Sequence, residues 1–152
     1  TPHLEHRQGL SLARGLAGLR FCPVHPNFEE LEGLKVEVDD VIYMPSLDHP
    51  EDRPHPFVYF IKICNYSEDR VSILGRKWVV REDDSDDVIV VEGDGVVGQN
   101  PDLGPGEEFS YNSYHVTRSS GCAEGAFFGT TESGQSIFVR IPRFKLSIPE
   151  WA

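Results

Sequence analysis

From Leu34 onward the sequence is written with a period of two, and that pattern constrains the fold to β-sheet. Leu34, Val36 and Val38 alternate with charged positions, and Phe57, Tyr59, Ile61 and Ile63 share one face of the run Phe57–Cys64. Residues i and i+2 line up only on a strand, since a helix would scatter them around its axis. Runs at Ile73–Arg81, Asp87–Glu92, Glu108–Val116, Glu124–Gly129 and Ser136–Ile141 bring the count to seven. The last extends past Pro142, because Phe144, Leu146 and Ile148 alternate with Arg143, Lys145 and Ser147. Breakers separate the runs at Asn65–Asp69, Asp83–Asp87, Leu103–Gly106 and Glu132–Gly134. Pro105-Gly106 fits the centre of a type II turn, where glycine supplies the positive φ. Seven short strands in residues 34–152 predict an all-β fold, an antiparallel β-sandwich of the immunoglobulin or fibronectin-type-III kind; a barrel is the second solution.

Residues 1–33 read differently. Leu4, Leu10, Leu12, Leu16 and Leu19 are interrupted by Gly9, Gly15 and Gly18 and followed by Pro23 and Pro26, so a helix over Ser11–Arg20 would be short and weak. The expectation is an N-terminal extension, mostly irregular, ahead of a sandwich domain over 34–152. Arg7, Arg14, Arg20 and the leucines also fit a transit peptide, a reading that Glu5, Glu29, Glu30 and Glu32 weigh against. Charge narrows the partners. With 14 Lys+Arg against 25 Asp+Glu the chain carries -11, and residues 34–152 hold 11 basic and 21 acidic side chains. Such a chain repels phosphate backbones and anionic membrane surfaces, so neither nucleic acid nor membrane is expected as a partner, and a charge-steered partner is expected to be basic. No window approaches 18 uninterrupted apolar residues, which excludes a transmembrane helix.

Several motifs suggest chemistry. Gly93-Asp-Gly-Val-Val-Gly98 has the G-x-G-x-x-G spacing of a dinucleotide site, but that site must open a helix, and Gln-Asn-Pro-Asp-Leu-Gly-Pro-Gly106 follows instead. Glu92 and Asp94 would also repel a phosphate held on backbone amides. A glycine-shaped bulge or strand crossing explains the motif better. Cys64, Trp78 and Cys122 imitate the Cys–Trp–Cys spacing of immunoglobulin domains. Cys122 reads as part of a turn, however, and a Cys64–Cys122 disulfide would leave Cys22 over, so three reduced thiols in the cytoplasm are expected. The run Glu82–Asp87 could attract Ca²⁺ or Mg²⁺ but lacks the spacing of a calcium loop, and a solvated hairpin tip is the simpler reading. The six histidines show no metal-ligand spacing, and His49 and His55 flank an exposed proline-rich loop. His115 could meet Cys122 after a turn, although a strand-end histidine on a polar edge is the plainer expectation.

Five blocks carry a resemblance. Arg76-Lys77-Trp78, Val91–Pro101, Leu103–Ser113, Gly121–Gly125 and Ile141–Leu146 resemble, in order, the signature blocks of the ApaG domain family, over about Lys35 to Ile148. The resemblance implies a fibronectin-type-III-like sandwich without established enzymatic activity. It also implies a stand-alone cytosolic protein of a bacterial family associated with cobalt resistance and magnesium efflux. Related eukaryotic domains, fused to an F-box protein and to a polymerase-delta-interacting protein, look like protein-binding modules. The family motif falls on Arg76, Trp78, Gly93, Gly95, Gly98, Gly121, Glu124 and Gly125; Lys77 replaces a usual histidine and Cys122-Ala123 a usual Ser-Met. The expectation is therefore a cytoplasmic, non-enzymatic protein-interaction domain with no cofactor and no metal, contacting another protein around Arg76–Trp78 and the glycine loop. The alternative is a binding protein for a nucleotide, pyrophosphate or divalent cation in metal homeostasis.

Overall fold

The computed structural model describes residues 3–4, 10–13 and 28–152, and every regular element among them is a strand. The strands are β1 (His3–Leu4), β2 (Leu10–Ala13), β3 (Glu29–Glu30), β4 (Leu34–Tyr43), β5 (His55–Asn65), β6 (Val71–Glu82), β7 (Val88–Asp94), β8 (Asp102–Leu103), β9 (Glu108–Thr117), β10 (Gly121–Thr131) and β11 (Ser136–Leu146). They form two sheets, ordered β1-β9-β5-β4 and β2-β7-β6-β10-β11-β3, with β8 added to β6. The seven long strands are the seven read from the alternation, and they pair antiparallel with their long neighbours. The fold is an all-β sandwich. No helix among the described residues is long and apolar enough to cross a membrane. Of the helix expected over Ser11–Arg20, Ser11–Ala13 lie in β2 and the remainder, like Cys22, lies outside the described residues. Glu29–Glu30 pair with β11, and Leu31 packs against the core, so the sheet structure begins ahead of Leu34.

The core is the contact between the two inner faces. Phe57, Tyr59, Ile61 and Ile63 of β5 meet Ile73, Trp78 and Val80 of β6, Phe127 of β10 and Ile137, Val139 and Ile141 of β11. Trp78 is the largest fully buried side chain, at 0% exposure. Its ring lies 4.9 Å from Tyr59 and 4.8 Å from His115, edge-on to the latter at 79°. His115 therefore belongs to the core and not to a polar edge. The register explains it: His115 is opposite Phe57, and Tyr111, Ser113 and His115 alternate inward along β9.

Three local features depend on residue type. Gly121, Gly125 and Gly129 recur every fourth residue along β10, and a Cβ at each would overlap the carbonyl oxygen of Arg81, Lys77 and Ser72 on β6. Only glycine permits that approach of the two backbones. β11 does continue past Pro142, because Pro142 and Arg143 together oppose the single residue Glu124 between the pairs Ala123–Phe144 and Gly125–Ile141. A bulge is a position where a missing proline N–H costs no ladder bond. At Gly104–Glu107 the expected type II turn forms, with Gly106 at φ 81° and the Glu107 N–H donating to the Gly104 carbonyl at 3.0 Å. Cys122 lies inside β10 and not in a turn, since Ser119 and Ser120 complete the connection before Gly121. Cys64 and Cys122 are both free thiols, one in each sheet.

Removal of the central indole is expected to be severe: Trp78→Ala should lower unfolding free energy by about 3–5 kcal/mol. Gly125→Ala forces a methyl into the β6 backbone and should cost about 1–3 kcal/mol. Urea midpoints at unchanged slope check both.

Candidate functional site

Four of the family motif residues, Arg76, Gly93, Gly95 and Gly98, come together at one end of the β6–β7 pair, where a small hairpin follows β7. Val96 and Gln99 pair with each other through two backbone hydrogen bonds, 2.7 and 2.9 Å, which leaves Val97-Gly98 as a two-residue turn. Both turn residues have positive φ, 44° at Val97 and 80° at Gly98, the signature of a type I′ turn. A β-branched residue strains at such a φ, and Val97 is held there by packing its side chain against the core. Gly95 also has positive φ, 66°, and a Cβ there would overlap the Gln99 carbonyl. The hairpin is stitched to the sheet on both sides: the Gly95 N–H donates to the Leu74 carbonyl at 2.7 Å, and the Ile73 N–H to the Pro101 carbonyl at 2.8 Å.

Arg76 supports this hairpin from inside. Its side chain is buried, 7% exposed, and its Nη1 donates to the carbonyls of Asp94 at 3.0 Å and Gly95 at 3.2 Å. The guanidinium passes directly over Gly93, where a Cβ would stand 2.7 Å from Nη1 and 2.9 Å from Cζ. Arg76 and Gly93 thus interlock: arginine supplies a fork of donors to two buried carbonyls, and glycine leaves room for it. The amides of Gly95, Val96 and Gln99 are used within the protein, so the loop offers no nest of free N–H groups at those positions to hold a phosphate. The motif is neither a bulge nor a strand crossing: Gly93 keeps an unbroken antiparallel register with Arg76 and makes room for its side chain.

The remaining motif residues divide between scaffold and surface. Trp78 lies in the core and does not reach the surface, so its indole takes no part in the surface expected around Arg76–Trp78. Gly121 and Gly125 serve the β6–β10 approach. Glu124, on the outer face, bridges Arg143 at 3.0 Å and Arg81 at 4.0 Å. Cys122 sits beside this cluster. Burial pushes its thiol above the ordinary range, with Arg143 opposing and Glu124 adding to the rise, which disfavours the thiolate.

Two features of the site were not read from the sequence. Leu74 is the extra residue of a β6 bulge, because Ile73 pairs with Gly129 and Gly75 with Phe128. It is 45% exposed and adjoins the hairpin through its own carbonyl. The signal was Ile73-Leu74-Gly75, where two consecutive aliphatic residues and a glycine break the alternation of a strand. Exposed acids flank it: Asp94 opposite Gly75, Asp102 opposite Ser72, and Glu92 paired with Lys77 at 3.5 Å. At the other end of β6, Glu82 is not part of a solvated tip. Its carboxylate is 2% exposed and takes Arg53 Nη1 at 2.8 Å, the Arg118 N–H at 2.8 Å and Arg118 Nε at 3.4 Å. It ties the β4–β5 loop and the β9–β10 turn to the β6–β7 hairpin. Among the described residues no group of three His, Cys, Asp or Glu could hold a metal ion. His49 Nδ1 and His55 Nδ1 are engaged by the Leu47 carbonyl and the Tyr43 hydroxyl, at 2.7 and 2.8 Å.

Comparison with known proteins decides the family. The ApaG domain matches residues 45–130, more than half of the chain and the whole of the hairpin and its supports. The chain belongs to the ApaG domain family. Protein ApaG of Bdellovibrio bacteriovorus is 37% identical over 110 residues, covering 72% of this chain and 86% of its own length. Protein ApaG of Aromatoleum aromaticum is 32% identical over 122 residues, covering 79% of this chain and 95% of its own. A crystal structure of an ApaA protein from Bordetella pertussis superposes with a TM-score of 0.69 at 30% identity, over 81% of this chain and 98% of that one. The ApaG match thus takes in β5 through most of β10, with Arg76, Trp78 and all three hairpin glycines inside it.

Both Arg76→Met and Gly93→Ala should release the hairpin while leaving the sandwich folded. Hydrogen exchange should quicken at the Gly95, Val96 and Gln99 amides, with a stability loss of about 1.5–3 kcal/mol for the arginine change. Alkylation attributable to Cys122, taken as the difference from Cys122→Ser, should be slower at pH 8 than that of free cysteine. Its rate should still be climbing where that of free cysteine levels off, because a raised pKa delays formation of the thiolate.

Proposed function

We propose that this ApaG-family chain is a non-enzymatic, cytoplasmic protein-interaction domain whose contact surface is the glycine hairpin together with Leu74. The observation that carries the reading is Leu74: a 45% exposed aliphatic side chain turned outward by a bulge and locked beside a rigid loop. Bulges commonly serve to re-aim one side chain next to a working surface. The motif residues support the same view from beneath. Arg76, Gly93, Gly95 and Gly98 set the backbone shape, Trp78 anchors it in the core, and none of them is placed to pass a proton or act as a nucleophile. The ligand-binding alternative is disfavoured by the internal use of the loop amides and by the carboxylates around them. Any link to cobalt resistance or magnesium efflux would then run through a protein partner.

Leu74→Asp should abolish capture of that partner by cross-linking from native lysate, whereas Lys35→Glu, exposed on β4 of the opposite sheet, should not. Retention of the same cross-linked partners by a folded Leu74→Asp protein would sink the assignment of this surface. Titration calorimetry with ATP, Mg²⁺ and Co²⁺ should give no heat; a saturable signal would favour the ligand reading instead.

A further inference from the structure

The charges around Leu74 define the partner more closely, on the reading that this surface is where the partner docks. A single exposed leucine is ordinary on a protein surface and too small to hold a partner alone. This one stands on a fixed backbone beside a row of carboxylates that lies along its β7 and β8 side. Asp94 sits across from Gly75, immediately after the bulge, and Asp102 across from Ser72, just before it. Glu92 and Glu107 extend the row at its two ends, and the cations beside it are Lys77, Arg70 and the buried Arg76, whose Nη1 reaches the Asp94 carbonyl.

Those three cations do not neutralise the row. Lys77 is taken up by Glu92 at 3.5 Å, and Arg70 is shared between Asp102 at 3.0 Å and Glu107 at 3.9 Å. Asp94, exposed, has no ion pair among the described residues. Four carboxylates against three cations still leave the row negative. The field behind it has the same sign, since residues 34–152 carry 11 basic and 21 acidic side chains. Exposed pairs of this kind exchange partners readily, because each contributes little on its own. An incoming cation can therefore take Asp94 directly and compete for the others.

The geometry points to a basic partner segment that carries one apolar side chain: the apolar group seats on Leu74, and flanking Lys or Arg side chains meet Asp94 and its neighbours. The leucine supplies a desolvated contact and fixes the position of the segment. The acids supply steering and discrimination against acidic chains. Asp94 and Leu74 hold the hairpin through their backbone carbonyls, to Arg76 and to the Gly95 N–H, so a change of either side chain leaves those hydrogen bonds in place.

The test uses two labelled peptides of alternating Lys and Gly, one with a central Leu and one with Ser in its place, and a third with Glu for Lys. Fluorescence anisotropy should show the Lys–Leu peptide binding the full chain, with affinity falling as salt rises through the range that shortens the Debye length from about 10 to 3 Å. Replacement of Leu by Ser in the peptide, Leu74→Ser in the protein, and Asp94→Lys should each weaken it about tenfold, and the Glu peptide should not bind. Three outcomes overturn the inference: no binding of the Lys–Leu peptide at millimolar concentration, equal binding of the Ser peptide, or a loss on Asp84→Asn at the distant acidic tip equal to that on Asp94→Lys. If lysate capture depends on Leu74 yet ignores both salt and Asp94→Lys, the surface stands and the basic segment falls. If capture ignores Leu74, the surface itself falls.

Discussion

Taking a charge out of water costs several kcal/mol unless partners replace the lost hydration, and β6 meets that condition twice. Its inner face carries Arg76 near one end, Trp78 and Val80 in the middle, and Glu82 at the other end. The cation is satisfied by two backbone carbonyls of the glycine hairpin, and the anion by two arginines and a backbone amide from neighbouring connections. Each buried charge thereby fixes the loops at its own end of the sandwich. Between them the indole of Trp78 packs tilted against Tyr59 and edge-on to His115 and Phe144, and joins the two sheets. A single strand thus organises the core, the hairpin and the opposite loop cluster.

The long strands were legible because a half-buried strand imposes alternation on every residue, and seven stretches of this chain obey it. The type II turn at Pro105-Gly106 was legible for a similar reason, since few residue pairs satisfy its φ values. The features that were missed are those where burial depends on a distant element. Glu82 reads as one more acid in a solvated run until Arg53 and Arg118 arrive from other loops. His115 reads as polar until its register against Phe57 turns it inward. Leu74 departs from the alternation through an insertion of one residue, which a period-two reading takes for noise. Trp78 was recognised as a motif residue, but a motif records only that a residue matters. Whether it matters by contact or by support is decided by which face of the strand it occupies.

The likeness to Protein ApaG of Bdellovibrio bacteriovorus and to the Bordetella pertussis structure concerns the same scaffold that the physical reading identifies. Within it, the motif is mostly a set of instructions for backbone shape. Gly121 and Gly125, joined by Gly129 outside the motif, set how closely two strands lie, Gly93 admits the Arg76 guanidinium, and Gly95 and Gly98 set how the hairpin bends. Such residues leave the chemistry of the surface to their neighbours. Lys77 and the half-buried Cys122 are among these.

Val97 gives the hairpin a further property. Its backbone is held at φ 44° by side-chain packing against the core, while two hydrogen bonds close the turn and two more attach it to the sheet. The loop has therefore already lost its conformational freedom when the domain folds, and that entropic cost was met by folding and not by encounter. A partner arriving there has no loop left to order. Association at such a surface is governed by orientation and electrostatic approach, with little of the slow rearrangement that lowers on-rates at mobile loops.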